Sequence, residues 1–411
     1  MKSSSKDQPW QISLAEPQFQ FLQRLLGAPS PIGFEAAMTE GVLRPYFEEH
    51  KLAGWSLQQF RGNAGLVIDT APTAATALSV MVIGHADKIR MQVRSIGDDG
   101  KIWVDSDSFL PSTLVGHEVL LFSEDPTQSG RYRVIEGGTI EAIGAIHFAD
   151  AELRAGKKGI TSEMLFLELQ VHGSDRKQQI ERLGIKAGDP LILNRKIRRG
   201  FSADTFYGAY LDNGLGCFVV AEVARILAEQ GGLKNVRYLG AIATHEEIGR
   251  MGSRVIAQEY RPDIVIGVDV SHDFEAAPGV KDKRYTPVAM GAGFTLAVGA
   301  ITHAHLNSLV QEVARERGIP FQHKVVGRDT GTDAMAAVFA SIDSAATSIG
   351  FPIRNMHTIS ECGHTGDLLA ATHAIVALLQ HLDRMNGGAG CKAADLRTNH
   401  PRLDRATRMA P

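Results

Sequence analysis

Apolar residues recur at intervals of three and four from Pro17 to Gly27, through Phe21, Leu22, Leu25 and Leu26. They do so again from Phe34 to His50, through Ala37, Met38, Leu43 and Phe47. That spacing predicts two amphipathic helices at the start of the fold. The period then shortens. Leu66 to Ile68 and Leu78 to Ile83 are compact runs rich in Val and Ile, the second ended by Gly84, as expected of strands buried on both faces. From about Met91 to Ile197 strand-length runs (MQVRSI, KIWVDS, EVLLF, RYRVIE, EMLFLEL, PLILNRKI) are broken by turn chemistry, with Asp98-Asp99-Gly100 as a hairpin turn and little long helical periodicity. After Tyr207 the two periods alternate. A helix is predicted from Asn213 to Gln230, a strand from Val236 to Ala243, a helix near Gly249 to Glu259 and a strand from Ile264 to Val268. Further helices follow at His303 to Arg317, Asp333 to Ala340 and Gly366 to Arg384. This rhythm predicts an α/β domain, residues 11–90 and 200–386, with helices packed on a sheet and a β-rich insert at 91–199. The glycine-rich stretch 387–411 reads as a loose tail.

At 411 residues the chain exceeds what one compact core usually fills, which agrees with two domains. A net charge of -3 gives no electrostatic reason to expect nucleic acid or an anionic membrane surface, so small molecules or peptides are the expected partners. Cys217, Cys362 and Cys391 lack any C-x-x-C spacing, which excludes a disulfide framework and a thiolate zinc site. The start, MKSSSKDQPW, has no apolar signal-like region, and no apolar run reaches the roughly 18 residues of a membrane span. The expected compartment is the cytoplasm.

The candidate chemistry gathers just after strands, where open α/β sheets form their binding crevices. His85 and Asp87 follow VMVIG, Glu246 and Glu247 follow AIATH, and Asp269 ends IVIGV; Asp212 opens a predicted helix in AYLDNGLG. A pair of divalent metals needs imidazoles and carboxylates converging from several elements, one carboxylate able to bridge, and a position left for water. Two adjacent glutamates can divide that labour, one binding metal and the other taking a proton. Each residue also has a structural reading alone: Asp212 as an N-cap, Glu246 and Glu247 as acids at a helix N-terminus, Asp269 as a turn cap, His357 as a loop histidine. His245, His272, His303, His305, His364 and His373 are read as ordinary.

Taken in order, GHAD (84–87), YLDNGLG (210–216), THEEIGRMGS (244–253), VDVSH (268–272), GTDA (331–334) and RNMHTISE (354–361) resemble the tetrahedral or glutamyl aminopeptidases, metallopeptidase family 42. The resemblance runs from about Glu16 to Arg384. It implies a mixed sheet sandwiched by helices, as in the co-catalytic zinc aminopeptidases, with a PDZ-like or barrel-like insert serving oligomerisation. It further implies two divalent metal ions, zinc by default with cobalt or manganese as alternatives. His85 and Asp269 would hold one, Glu247 and His357 the other, and Asp212 would bridge. Glu246 would be the general base, Asp87 would orient His85, and Asp333 would line the substrate site. The implied activity is release of the N-terminal residue of short peptides by a homo-oligomer, up to a tetrahedral dodecamer. The pattern departs from the family's H-x-D-E-I-G at Lys88 and Arg90, and Asn213-Gly214 stands where an Asp-Arg or Asn-Arg pair is common. Rival readings are a carboxypeptidase, a dipeptidase, an N-acyl amino acid deacylase, or a catalytically silent metal-binding assembly protein.

Overall fold

The structure, a computed structural model, describes residues 8–387 apart from 61, 63–64, 73, 75–76, 107, 278 and 280–286; the expected tail lies outside the described residues from 388 onward. Its strands are β1 (Ser56–Gln59), β2 (Leu66–Asp69), β3 (Leu78–His85), β4 (Met91–Ile96), β5 (Ile102–Ser106), β6 (Glu118–Glu124), β7 (Tyr132–Glu141), β8 (Phe166–Glu168), β9 (Pro190–Leu193), β10 (Arg198–Arg199), β11 (Thr205–Gly208), β12 (Val236–Ala243), β13 (Ile264–His272), β14 (Phe294–Gly299), β15 (Phe321–Val326), β16 (Ala345–Ile353) and β17 (Glu361–His364). Eight of them form one mixed sheet in the order β1-β2-β12-β3-β13-β16-β14-β15. The four middle strands, β12, β3, β13 and β16, run parallel.

Side chains alternate across this sheet as strand geometry requires. Val80 and Val82 of β3 join the core under the helices Glu16–Gly27, Leu211–Glu229, Ala304–Arg317 and Thr365–Asn386, whereas Met81 and Ile83 join a second core under the helix Met251–Tyr260. Both faces are therefore covered, which is why the central strands read as unbroken apolar runs.

Between β3 and β10 the chain builds a closed antiparallel barrel, β4-β5-β8-β7-β6-β9, around its own core of Met91, Val104, Leu121, Leu167 and Leu191. The Asp98-Asp99-Gly100 segment is the turn joining β4 to β5. Two short helices, Ala151–Arg154 and Arg176–Arg182, lie within this region. Strand β10 pairs with β11 and β11 with β17 in a small separate sheet.

Several expected elements differ in detail. The helix expected from Phe34 to His50 is broken into Ala36–Met38, a π-turn at Thr39–Leu43 and Arg44–His50. Pro45, which has no N–H for the helical ladder, stands at the restart. The helix expected at Asp333 to Ala340 is a 3-10 turn, Asp333–Met335, followed by Ala336–Phe339.

Candidate metal centre

Three parallel strands end side by side at the site. Ala243 of β12 lies opposite His85 of β3, and Gly267 of β13 lies opposite Ile83 of β3. His85 and Asp269 thus share one face of the sheet. The fourth contributor arrives from the other face. A Cβ on Gly84 would come within 2.9 Å of the Gly216 backbone, so the glycines of GHAD and NGLG let the start of the Leu211–Glu229 helix press onto the strand ends.

Asp212 does not cap that helix. It and Asn213 have non-helical backbone angles, and the Asn213 side chain takes the capping role, accepting from Gly216 N–H at 2.9 Å while its amide donates to Val268 O at 2.8 Å. The Asp212 carboxylate is left free. Its Oδ1 lies 3.4 Å from His85 Nε2 and its Oδ2 lies 3.3 Å from His357 Nε2. His357 Nε2 and Asp212, with Glu247, form one group whose donor atoms lie within 4.8 Å of one another; His85, Asp212 and Asp269 form a second. Asp212 belongs to both.

Glu246 and Glu247 lie in a turn that precedes the helix Met251–Tyr260, two residues later than the expected start, so they are not its N-terminal acids. Asp87 fixes that turn: its two oxygens accept the Glu246 and Glu247 backbone N–H groups at 3.1 and 3.2 Å, and Oδ1 also lies 3.4 Å from His85 Nδ1. Glu246 Oε2 is 3.8 Å from His85 Nε2. Asp269 sits within β13 with Oδ2 3.9 Å from His85 Nε2. Asp333 is buried beside them, and neither of its oxygens has a well-aligned donor, the Ser253 hydroxyl being the nearest help.

The electrostatics of this cluster are those of excess negative charge. Burial, reinforced by Asp212, pushes Glu247 up to about 10; burial, only partly offset by His85, pushes Glu246 up to about 7 and Asp333 up to about 6. Burial and Asp212 hold Asp269 well above the carboxylate range. Asp212 alone goes the other way: burial opposes its ionisation, but hydrogen bonds with His357 and His85 hold it well below the usual range. His85 is raised despite its burial, chiefly by Asp87. Glu247 Oε1 is buried with no hydrogen-bond partner. Carboxylates packed this densely, with an orphaned oxygen aimed among them, fit the donor set of divalent cations, whose charge would relieve the repulsion.

The sequence model of the M42 glutamyl aminopeptidases matches residues 65–373. The chain belongs to this aminopeptidase family. The lysyl aminopeptidase of Pyrococcus furiosus is 26% identical over 375 residues, spanning 90% of this chain and 98% of that one. Among solved structures, a TET aminopeptidase from a marine sediment Thaumarchaeota archaeon superposes with a TM-score of 0.76 at 20% identity, covering 93% of this chain and 100% of that one. The Pyrococcus horikoshii TET1 peptidase, which can assemble into a tetrahedron or a large octahedral shell, gives 0.70 at 20% identity over 88% and 98% of the two chains. The likeness in fold includes the helix-covered mixed sheet, so the zinc-aminopeptidase-like architecture expected from the motifs is the one this M42 aminopeptidase has.

Some of its site residues were not legible beforehand. Glu361 is buried and holds two loops at once, Oε1 accepting from His357 N–H at 2.7 Å and Oε2 from Leu211 N–H at 2.6 Å. Its only sequence signal is its place at the end of RNMHTISE. Arg250 donates from Nε to Glu246 Oε1 at 3.3 Å and grips both oxygens of Asp329 at 2.9 and 2.7 Å; the signal was its i+4 spacing from Glu246. His303 and His364, read as ordinary, cap helices by accepting the Leu306 and Gly366 N–H groups at 3.2 and 3.1 Å.

The departures Lys88 and Gly214 meet at one spot that is not the metal centre. The Lys88 side chain is buried and donates to the carbonyls of Leu26, at 2.7 Å, and Ala28, where the first helix ends, with the Tyr210 ring 5.0 Å away. A Cβ at 214 would already approach Leu26 Cγ to 3.0 Å, so the arginine common in the family would require Leu26 to shift. Arg90 likewise turns away, to Ile32 O at 3.2 Å and Gln92 at 3.3 Å.

Proposed function

We propose that this aminopeptidase removes the N-terminal residue of short peptides using two divalent metal ions, one held by His85 and Asp269 and the other by Glu247 and His357, with Asp212 between them. The observation that carries the reading is the split of the Asp212 carboxylate, each oxygen facing the Nε2 of a different histidine. Imidazole and carboxylate donors suit zinc, and also cobalt or manganese. Ions in such a setting supply Lewis acidity, polarising a carbonyl and making water a better acid.

The remaining chemistry belongs to the chain. Glu246, which no donor group of the two clusters includes, takes the proton from the attacking water and passes it to the leaving amine. Asp87 sets the His85 ring through Nδ1 and fixes the backbone of both glutamates, so one carboxylate orients two elements of the site. Asp333 lines the same cleft. Arg250 holds the Glu246 carboxylate from the side away from His85.

The insert at 91–199, which carries the closed six-stranded barrel, is in this reading the oligomerisation domain, and β10 at its end pairs to β11 rather than to the barrel. The assembly reported for the TET1 relative supports a homo-oligomer here, with a tetrahedral dodecamer as its specific form. A pI near 6.6 and unpaired cysteine spacing support a peptide-processing role in the cytoplasm. Among the described residues no helix is long and apolar enough to cross a membrane.

The test is release of N-terminal residues from a free-amine peptide panel with added zinc, cobalt or manganese, beside N-acetylated peptides and Glu246→Gln. Cleavage of the free-amine peptides alone, lost in Glu246→Gln, is the expected result. Equal cleavage of acetylated peptides would move the reading to an acyl amino acid deacylase. Near-normal turnover by a metal-loaded Glu246→Gln would remove Glu246 from its role.

A further inference from the structure

Where the barrel meets the α/β unit the two enclose a cavity of about 280 Å³. Leu26 and Pro29, at the end of the first helix, line it together with Lys88 and Tyr210. The barrel contributes Leu120 of β6, Val134 of β7 and Ile192 of β9. Asn194, Arg195 and Lys196, which connect β9 to β10, complete the polar part of the lining. None of the five proposed metal ligands lines this space, so it is separate from the peptide cleft.

The cavity holds more hydrogen-bond donors than acceptors. Lys88 is buried and spends two of its three N–H groups on the Leu26 and Ala28 carbonyls, which leaves the third. The Arg195 guanidinium lies 5.7 Å over the Tyr207 ring, and its Nε is buried with no hydrogen-bond partner. The Tyr210 hydroxyl accepts from Leu193 N–H at 2.7 Å and keeps its own proton for another acceptor. Among the described residues no carboxylate is paired with Lys88, Arg195 or Lys196; Glu136, the acidic residue of the lining, is exposed and bonded to none of them. Buried donors left without acceptors cost free energy, and a cation taken out of water without a counter-ion costs more. An anion in the cavity would answer both, and the apolar walls would favour one that carries hydrocarbon.

We infer that this cavity is a binding site for a small organic acid, its carboxylate received by Lys88 and Arg195 and its apolar body lying against Leu120 and Ile192. An inorganic oxyanion would satisfy the donors and leave those walls uncovered. Because the walls come from both units, the occupant ties the barrel to the α/β unit, and its binding should raise the melting temperature of the whole chain.

The experiment is calorimetry of isovalerate against the full chain at constant ionic strength. Isoamylamine, which has the same body without the carboxylate, and sulfate, an anion without the body, are titrated beside it. Isovalerate should bind with a Kd of about 1 mM or tighter, sulfate about 10-fold more weakly, and isoamylamine not at all. Arg195→Met and Lys88→Met should each weaken isovalerate binding about 10-fold or more, while Arg195→Met leaves the release of N-terminal residues unchanged. Metal-loaded and metal-stripped protein should give the same Kd, which separates this site from a carboxylate bound at the metal centre. The assignment is overturned by an absence of isovalerate binding, by binding that neither substitution weakens, or by binding that disappears with the metals. Sulfate binding as tight as isovalerate would overturn the organic acid as the ligand. All of these results leave the aminopeptidase reading as it stands, since that reading is tested by turnover.

Discussion

Two buried carboxylate clusters in this molecule have opposite electrostatics. Glu222, on the inner face of the Leu211–Glu229 helix, is nearly inaccessible, yet it is fully partnered. Arg225 donates to its two oxygens at 3.0 and 2.9 Å, Gln18 donates at 2.6 Å, and the Tyr46 hydroxyl donates as well. Burial pushes its pKa up, but these donors outweigh it and the carboxyl ends below its ordinary value. At the candidate metal centre the balance fails. Glu246, Glu247 and Asp269 are buried as well, and their pKa values rise. Burial with enough donors is structure; burial of like charges with too few stores a demand for cations.

The contrast is broken most forcefully at Glu246. Glu246→Gln keeps the shape of the side chain and removes its capacity to accept a proton, so kcat should fall about 10²- to 10⁴-fold with metal content unchanged. Steady-state kinetics with metal analysis on the same sample reads both. Glu222→Gln should do the reverse. It leaves the partly exposed Arg225 with Glu229 as its remaining counter-charge and should cost about 1 to 3 kcal/mol in urea unfolding, whether or not a chelator is present. Asp269→Asn in metal-stripped protein should instead raise stability, since it removes a carboxyl whose ionisation the stripped fold opposes through burial and Asp212. If both substitutions destabilised the stripped protein alike, the two clusters would not differ in kind.

Much of this contrast could be read in advance, and the limit is physical. His85, Asp212, Glu246, Glu247 and Asp269 stand at strand ends or a helix start, where local periodicity places them, and the ordered motifs link them. The unforeseen strands β14, β15 and β16 lie in stretches such as FTLAVG and FQHKVV, too short or too mixed for a clear period. Asn213 supplanting Asp212 as the cap is a choice between neighbours that only the approach to Val268 O decides. Glu361 acts on Leu211 across 150 positions, a contact with no local trace. Lys88, which read as a charge beside the ligands, turns out to be anchored to the end of the first helix, because a side chain's direction depends on what surrounds it.

Glu361 sharpens the comparison at intermediate size. It resembles Glu222 in being buried with several donors, but those donors are backbone N–H groups and the His357 charge offsets little, so burial and Asp212 push its carboxyl up to about 8. Glu361→Gln retains one accepting oxygen and loses the other, loosening either the Asp212 loop or the His357 loop. Turnover should drop about 10- to 100-fold, with metal affinity falling in parallel. An unchanged affinity for metal would show that the two loops hold themselves.

Lys88 provides the smallest and most discriminating case, a buried cation with carbonyl partners and, among the described residues, no counter-ion. Burial pulls its pKa from 10.5 to about 7. Below about pH 7 the folded and unfolded chains both carry the ammonium, and the folded chain bears the whole cost of burying it. Between about 7 and 10.5 only the unfolded chain holds the extra proton, so wild-type stability rises with pH through that window. Lys88→Met has no proton to lose and lacks this rise. Urea midpoints of metal-stripped wild type and Lys88→Met should therefore diverge in favour of the wild type from pH 7 to pH 9. A gap that stays constant would mean that the Leu26 and Ala28 carbonyls keep the ammonium charged in the folded state, and Lys88 would then belong with Glu222, as a buried charge whose partners are sufficient.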